Sequence, residues 1–220
     1  MLEKINKINL KNMEKLQYDV IPGAEMVLRT EEALKANGFL AETVATGAEA
    51  LEKVKEIIVK DSSVMNGSSR TLDEMGFVDY LKKGGHGWNN LHEGILKETD
   101  PAKQVILRKQ SALSDFYLGS VHAVTEVGEL IIASNSGSQL PHIVFTSPNV
   151  IFVVGTQKIV PNFAEAITRL EDYVFPLEDK RIMGLYGSHS MISKVVTLRR
   201  ENPMMGRKVH VILVNEKLGY

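Results

Sequence analysis

Apolar positions along this chain recur with two alternating periods, and the alternation predicts its layers. Residues 2–36 read as helical, with a break at Ile21-Pro22-Gly23, where proline removes a backbone donor and glycine admits positive φ. Asn37-Gly38 is a C-terminal stop signal. Residues 39–45 then form a short strand with apolar residues at 40 and 44. Thr46 begins a helix over 47–59, with Ala50, Leu51, Val54, Ile57 and Ile58 along one face. Residues 62–65 are placed as the next strand by their position after that helix. Beyond the polar stretch 66–71, Leu72, Met75, Val78 and Leu81 repeat at i, i+3 spacing. Gly84-Gly85-His86-Gly87 is a loop, and Asp100-Pro101 opens a helix carrying Val105, Ile106 and Leu113.

From residue 116 the pattern turns β-rich, with strands expected over 116–118, 121–125, 129–133, 143–145 and 150–154. The last of these is unbroken Val-Ile-Phe-Val-Val, as in a strand covered on both faces. Pro161 begins a helix with Phe163, Ala166, Ile167 and Leu170 inward and Glu165, Arg169 and Asp172 outward, and residues 209–214 close with a strand. The expected product is an α/β fold, a doubly wound and mostly parallel sheet flanked by helices. Residues 1–24 would be an N-terminal helical extension and residues 25–220 the main domain.

Composition narrows the class. With 26 Lys+Arg against 27 Asp+Glu the formal charge is -1, and the basic residues are scattered, so neither nucleic acid nor an anionic membrane is an expected partner. Cysteine is absent, which excludes disulfides and cysteine-ligated zinc or iron–sulfur clusters in these 220 residues. No run approaches the roughly 20 apolar residues of a membrane span, and the N-terminus lacks a leader-like apolar core, so a cytoplasmic location is expected. The six histidines show no metal-ligand spacing, and no metal or cofactor is expected.

Candidate chemistry gathers in two polar loops. Gly67, Ser68, Ser69, Arg70 and Thr71 lie between a strand and a helix, where backbone N–H groups, hydroxyls and the arginine suit an anion; the bland alternative is a Ser/Thr helix cap. Ser134, Asn135, Ser136, Gly137 and Ser138 form a loop with no apolar residue, more small polar groups than a structural turn requires. Both loops are expected to open on one cavity. Lys158 follows the buried strand at its carboxyl end, where open α/β sheets bind ligands. Glu126, in Thr125-Glu126-Val127-Gly128, is a candidate nucleophile or base set beside a glycine turn; a solvated carboxylate is its plain alternative. Trp88 fits either a lid or a core plug.

Several long blocks, in order, resemble the lactate-utilization (LUD) domain family. They are DFYLGSVHAVTEVGELIIASNSGSQ, VVGTQKIVPNFAEAITRLEDYVFPLED and the closing VHVILVNEKLGY, with NGSSRTLDEMG similar to that family's Gly-Ser loop. The resemblance implies the fold of the isomerase, deaminase and coenzyme A-transferase superfamily. It also implies a non-redox role in oxidising lactate to pyruvate, binding an anionic small molecule beside separate subunits that carry iron–sulfur clusters. Glu126-Val127-Gly128 is similar to the Glu-x-Gly nucleophile motif of coenzyme A transferases, although Val127 stands where those enzymes usually carry Asn. Residues 67–71 are similar to the phosphate loop of sugar-phosphate isomerases, whose Asp-x-x-Asp run is not found. A transferase-like or isomerase-like enzyme using Glu126, and a structural assembly subunit, are therefore the competing expectations; self-association is left open.

Overall fold

The computed structural model describes residues 18–220. The expected extension over 1–24 and the start of the 2–36 helix thus fall mostly outside the described residues. In chain order the elements are α1 (Ala24–Ala36), β1 (Leu40–Val44), α2 (Gly47–Ile57), β2 (Ser63–Asn66), α3 (Arg70–Glu74), α4 (Phe77–Lys83), β3 (Asn89–Asn90), α5 (Leu91–Lys97) and α6 (Pro101–Gln110). There follow β4 (Phe116–Gly119), β5 (Ala123–Thr125), β6 (Leu130–Ser134), β7 (Asn149–Gly155), β8 (Ile159–Val160), α7 (Phe163–Arg169), α8 (Phe175–Tyr186), β9 (Lys194–Leu198) and β10 (Lys208–Val214).

Six strands in the order β1-β10-β7-β4-β2-β3 make one parallel sheet. Its central strand β7 buries alternate residues on opposite faces, which is why its sequence shows no polar interruption. Val150, Phe152 and Val154 pack with Val209, Val211 and Leu213 of β10 and with Val27 and Leu34 of α1. Ile151 and Val153 face the other way, onto Ala50 and Val54 of α2 and Leu72 and Phe77 of α3 and α4. Helices therefore cover both faces, the doubly wound α/β arrangement that the periodicity predicts.

A second sheet, in the order β8-β5-β6-β9, diverts the β-rich block out of the main layer. Its Val124, Leu130, Ile132 and Ile159 complete the core beneath β7, while Ala123, Ile131, Ala133 and Val160 meet Ala166, Leu170 and Val174 on the opposite face. This small sheet projects beyond the carboxyl ends of β2 and β4. It becomes one wall of the cavity described below.

Four expectations are corrected. Residues 143–145 are not a strand but part of a π-helical turn, His142–Thr146, begun by Pro141 in helical conformation. Arg207 satisfies the turn's His142 and Ile143 carbonyls, and Phe145 is left 80% exposed. The single helix expected after residue 71 is two, divided at Gly76 with φ +85°. The helix expected to carry Val105, Ile106 and Leu113 ends at Gln110, with Leu113 on a following 3₁₀ turn, and all three side chains are exposed. Arg169, expected outward, is fully buried, whereas Phe163, expected inward, is exposed. Ala166, Arg169, Leu170 and Val174 fall at i, i+3, i+4 and i+8 spacing, so Arg169 shares the inward stripe of its apolar neighbours. Trp88 is a core plug, packed in the cluster with Phe77. Strand β9, at the edge of the small sheet, and helix α8 carry no periodic signal strong enough to read from sequence.

Candidate functional site

A cavity of about 260 Å³ opens at the carboxyl ends of β2 and β4, roofed by the small sheet and α8. Location is the first argument for it: open α/β sheets present loops and free backbone groups at this edge. Gly67, Ser68, Ser69, Arg70 and Thr71 line one side. Ser134, Asn135 and Ser138 line another, so the two polar loops nominated by sequence meet at a single cavity. Lys158 lines it as well.

The loop residues are not equivalent. Ser69 is the N-cap of α3, accepting from the Leu72 N–H at 3.4 Å, and Arg70 is paired along its own helix with Glu74 at 2.9 Å. The helix has five residues, so its dipole contributes little here. Gly67 is required by close packing: a Cβ there would sit 2.5 Å from the Tyr117 hydroxyl. Ser136 and Gly137 are absent from the lining; they shape the turn, with the Gly137 N–H donating to Ser134 Oγ at 3.0 Å and φ +84° at Gly137. Lys194 donates to the Asn135 carbonyl at 3.0 Å and fixes this loop to β9.

Lys158 is the most unusual group. It sits on a 3₁₀ turn between β7 and β8 and is 2% exposed. Its Nζ donates to Thr71 Oγ1 at 2.9 Å, Ser120 Oγ at 3.1 Å and the Val121 carbonyl at 3.2 Å. Among the described residues no carboxylate lies within ion-pair distance of it. Burial, reinforced by the nearby Arg169 guanidinium and opposed by Glu74, lowers its pKa to about 7. Arg169 is itself buried, with no carboxylate partner among the described residues, held by the carbonyls of His122 and Tyr18 and set over the Tyr18 and Tyr173 rings. Burial lowers the pKa of Arg169 to about 10.

Other lining groups escape sequence reasoning. His122 is half-buried, and desolvation, with Lys158 and Arg169, pushes its pKa down to about 3, so the imidazole is neutral. Its Nδ1 accepts from the Ala133 N–H at 3.0 Å, which assigns the ring proton to Nε2. Arg181 forks onto Glu178 at 2.8 and 2.7 Å and reaches Ser68 Oγ at 3.5 Å, while the Tyr220 hydroxyl donates to the same Glu178. Burial raises the Glu178 pKa, but Arg181 and Tyr220 together outweigh it and hold the carboxyl below its usual value. Gln139 accepts from the Tyr117 hydroxyl at 3.1 Å and donates to the Ala133 carbonyl at 3.0 Å. In sequence, Glu178 and Arg181 are an ordinary i, i+3 helix pair and His122 a lone histidine in a strand; no local pattern separates them from solvated or core residues.

Glu126 lies outside the cavity lining. It follows β5 at the far end of the small sheet and pairs with Arg29 of α1 at 3.1 Å. Gly128 takes φ +80°, and a Cβ there would meet the Ala33 backbone at 2.8 Å; Asn37 Nδ2 donates to the Val127 carbonyl at 2.8 Å. The turn is a clasp between β5–β6 and α1. Among the described residues no group of acidic and histidine side chains has metal-binding geometry, and no helix is long and apolar enough to cross a membrane.

Among solved structures, the chain is similar to the crystal structure of a DUF162 family protein from Deinococcus radiodurans. The two share 12% identity, with 91% of this chain and 100% of that chain covered and a TM-score of 0.49. No curated protein matches the chain. The family described as LUD domain matches residues 27–214, most of the length and all of the main sheet, and the chain therefore belongs to the LUD domain family.

Proposed function

We propose that this chain is a non-redox component of lactate-to-pyruvate oxidation and that its cavity holds a small anionic molecule. Membership of the LUD domain family supports the pathway. One observation carries the ligand class: Lys158 is buried at the cavity wall with three neutral oxygen acceptors and no carboxylate among the described residues. A buried ammonium without a counter-charge is costly, and an anion entering the cavity supplies that charge. The hydroxyls of Ser68 and Ser138 and the amide of Asn135 add donors around the same space.

The volume, near the lower end of the ~300–1,000 Å³ usual for ligand sites, favours a compound of a few carbons over a whole coenzyme. With no cysteine in its 220 residues, the chain leaves cysteine-ligated iron–sulfur redox centres to separate partner subunits. Glu126 faces Arg29 instead of the cavity, so a transferase or isomerase built on that carboxylate is not carried forward.

The test is a thermal-shift screen of lactate, pyruvate, small phosphate esters and coenzyme A esters. At about 100 times Kd a native-state ligand adds roughly 2.7 kcal/mol, a shift easily read. A small carboxylate or phosphate should raise the melting temperature of the wild type and not of Lys158→Met. If no anion in the panel shifts the wild type, the binding reading is lost. Lactate-dependent dye reduction by the purified chain alone would sink the non-redox role.

A further inference from the structure

We propose that Lys158 is a carbonyl-capturing amine, condensing with a small 2-oxo carboxylate in the cavity to form an imine. The inference rests on the reading of this cavity as an anion site and extends it from binding to covalent chemistry.

Three features of the geometry carry it. The first is the position of the amine on a cavity wall, between Thr71 and Ser120 from the carboxyl ends of β2 and β4. The second is its lack of a carboxylate partner among the described residues. A lysine paired with Asp or Glu is held as the cation, whereas this one is surrounded by neutral oxygens, and a second buried cation, Arg169, acts on it more strongly than the opposing Glu74. Burial and Arg169 both favour the neutral amine, whose lone pair is the nucleophile. The third is the hydroxyl at 2.9 Å. A neutral amine has two N–H donors, which the Val121 carbonyl and Ser120 Oγ absorb. The Thr71 proton, otherwise directed at the Leu218 carbonyl over 3.3 Å, then turns to the amine nitrogen. An arriving carbonyl displaces that one weak contact, and Thr71 is left beside the reacting atoms as a proton carrier.

The step balances without a co-reactant. Lys158 Nζ adds to the carbonyl carbon, forming the C–N bond while the C=O π pair moves to oxygen. One Nζ proton passes to that oxygen through the Thr71 hydroxyl, giving the carbinolamine. Its hydroxyl then leaves as water with the second Nζ proton, and C=N remains: amine plus carbonyl gives imine plus water, with no change of oxidation state. The neutral His122 imidazole lines the same cavity, with Nε2–H available to hydrogen-bond the carbonyl oxygen. Ser68, Asn135 and Ser138 are placed for the carboxylate.

Borohydride trapping decides it. Wild type incubated with pyruvate and reductant should gain one reduced three-carbon acid per chain, mapped by peptide mass spectrometry to Lys158. Lactate, which has a hydroxyl in place of the ketone, should leave no adduct and should slow the trapping by pyruvate. Trapping in the wild type should be fast at about pH 7 and should fall below it as the amine is protonated. Adduct spread over surface lysines, with Lys158 no more labelled than they are, would overturn the proposal; peptide mapping of the wild type alone answers this, even if Lys158→Met fails to fold. A pyruvate-induced thermal shift without trapping would end the imine and leave the anion site standing. Neither shift nor adduct with any panel member would remove both.

Discussion

Lys158 and Glu126 stand at opposite ends of one short ladder. β5 and β8 run parallel with Val124 opposite Ile159 and Thr125 opposite Val160; Lys158 precedes β8 and Glu126 follows β5. The two charged residues meet opposite fates. Glu126 keeps 22% of its side chain exposed and takes a cationic partner in Arg29, an arrangement that neutralises it at little electrostatic gain. Lys158 is enclosed, finds only neutral acceptors, and borders a cavity. A charge becomes a candidate for chemistry when its surroundings leave it unbalanced; residue type and a nearby glycine turn are not enough.

The comparison can be broken most directly at the glycines. Gly128→Ala must place a Cβ against the Ala33 backbone in a left-handed conformation, and we expect a loss of about 2–4 kcal/mol in urea unfolding. An unchanged midpoint would show that the Glu126 turn is not clasped to α1. Gly67→Ala drives a methyl onto the Tyr117 hydroxyl, with an expected loss of about 1–3 kcal/mol. Tyr117→Phe in the same chain should recover most of it, because the next atom of that ring is 3.7 Å away. Failure of the double variant to recover would mean that the cavity floor is set by something other than this contact.

A smaller effect is expected from pH, and its sign follows from the Lys158 shift. The folded-state pKa, about 7, lies below the ordinary lysine value of 10.5. Between those values the unfolded chain holds a proton that the folded chain has released, so stability rises with pH across that window. Below about pH 7 the folded chain must protonate its buried amine, and the full penalty is present. Measured against Lys158→Met, the urea midpoint of the wild type should therefore rise between about pH 7 and about pH 9. The same difference at both would show that Lys158 titrates normally. Glu126→Gln sharpens the comparison by doing almost nothing. The midpoint and any ligand-induced thermal shift should stay within error, since the carboxylate serves only an exposed pair. Loss of ligand response in that variant would return Glu126 to the site.

The sequence by itself determined the layers. The unbroken apolar run of β7, the helical face Ala50-Val54 and the stop signal Asn37-Gly38 need only local periodicity and backbone sterics, and each appears where its pattern puts it. It also nominated most of the cavity wall, because loops of small polar residues after strands are a local signal. Tertiary structure decided the rest. Arg169 reads as outward from its charge but shares the inward face of Ala166 and Leu170, where the His122 and Tyr18 carbonyls hold it, and residues 143–145 read as a strand until Arg207 claims the His142 and Ile143 carbonyls. His122, the Glu178–Arg181 pair and Tyr220 join the cavity from three separate segments, a convergence with no trace in local spacing. The character of Lys158 was least legible of all: a lysine's charge state depends on what surrounds it through desolvation and Coulomb interaction, and its neighbours Thr71, Ser120 and Arg169 are far from it or unremarkable in the sequence and adjacent only in the fold.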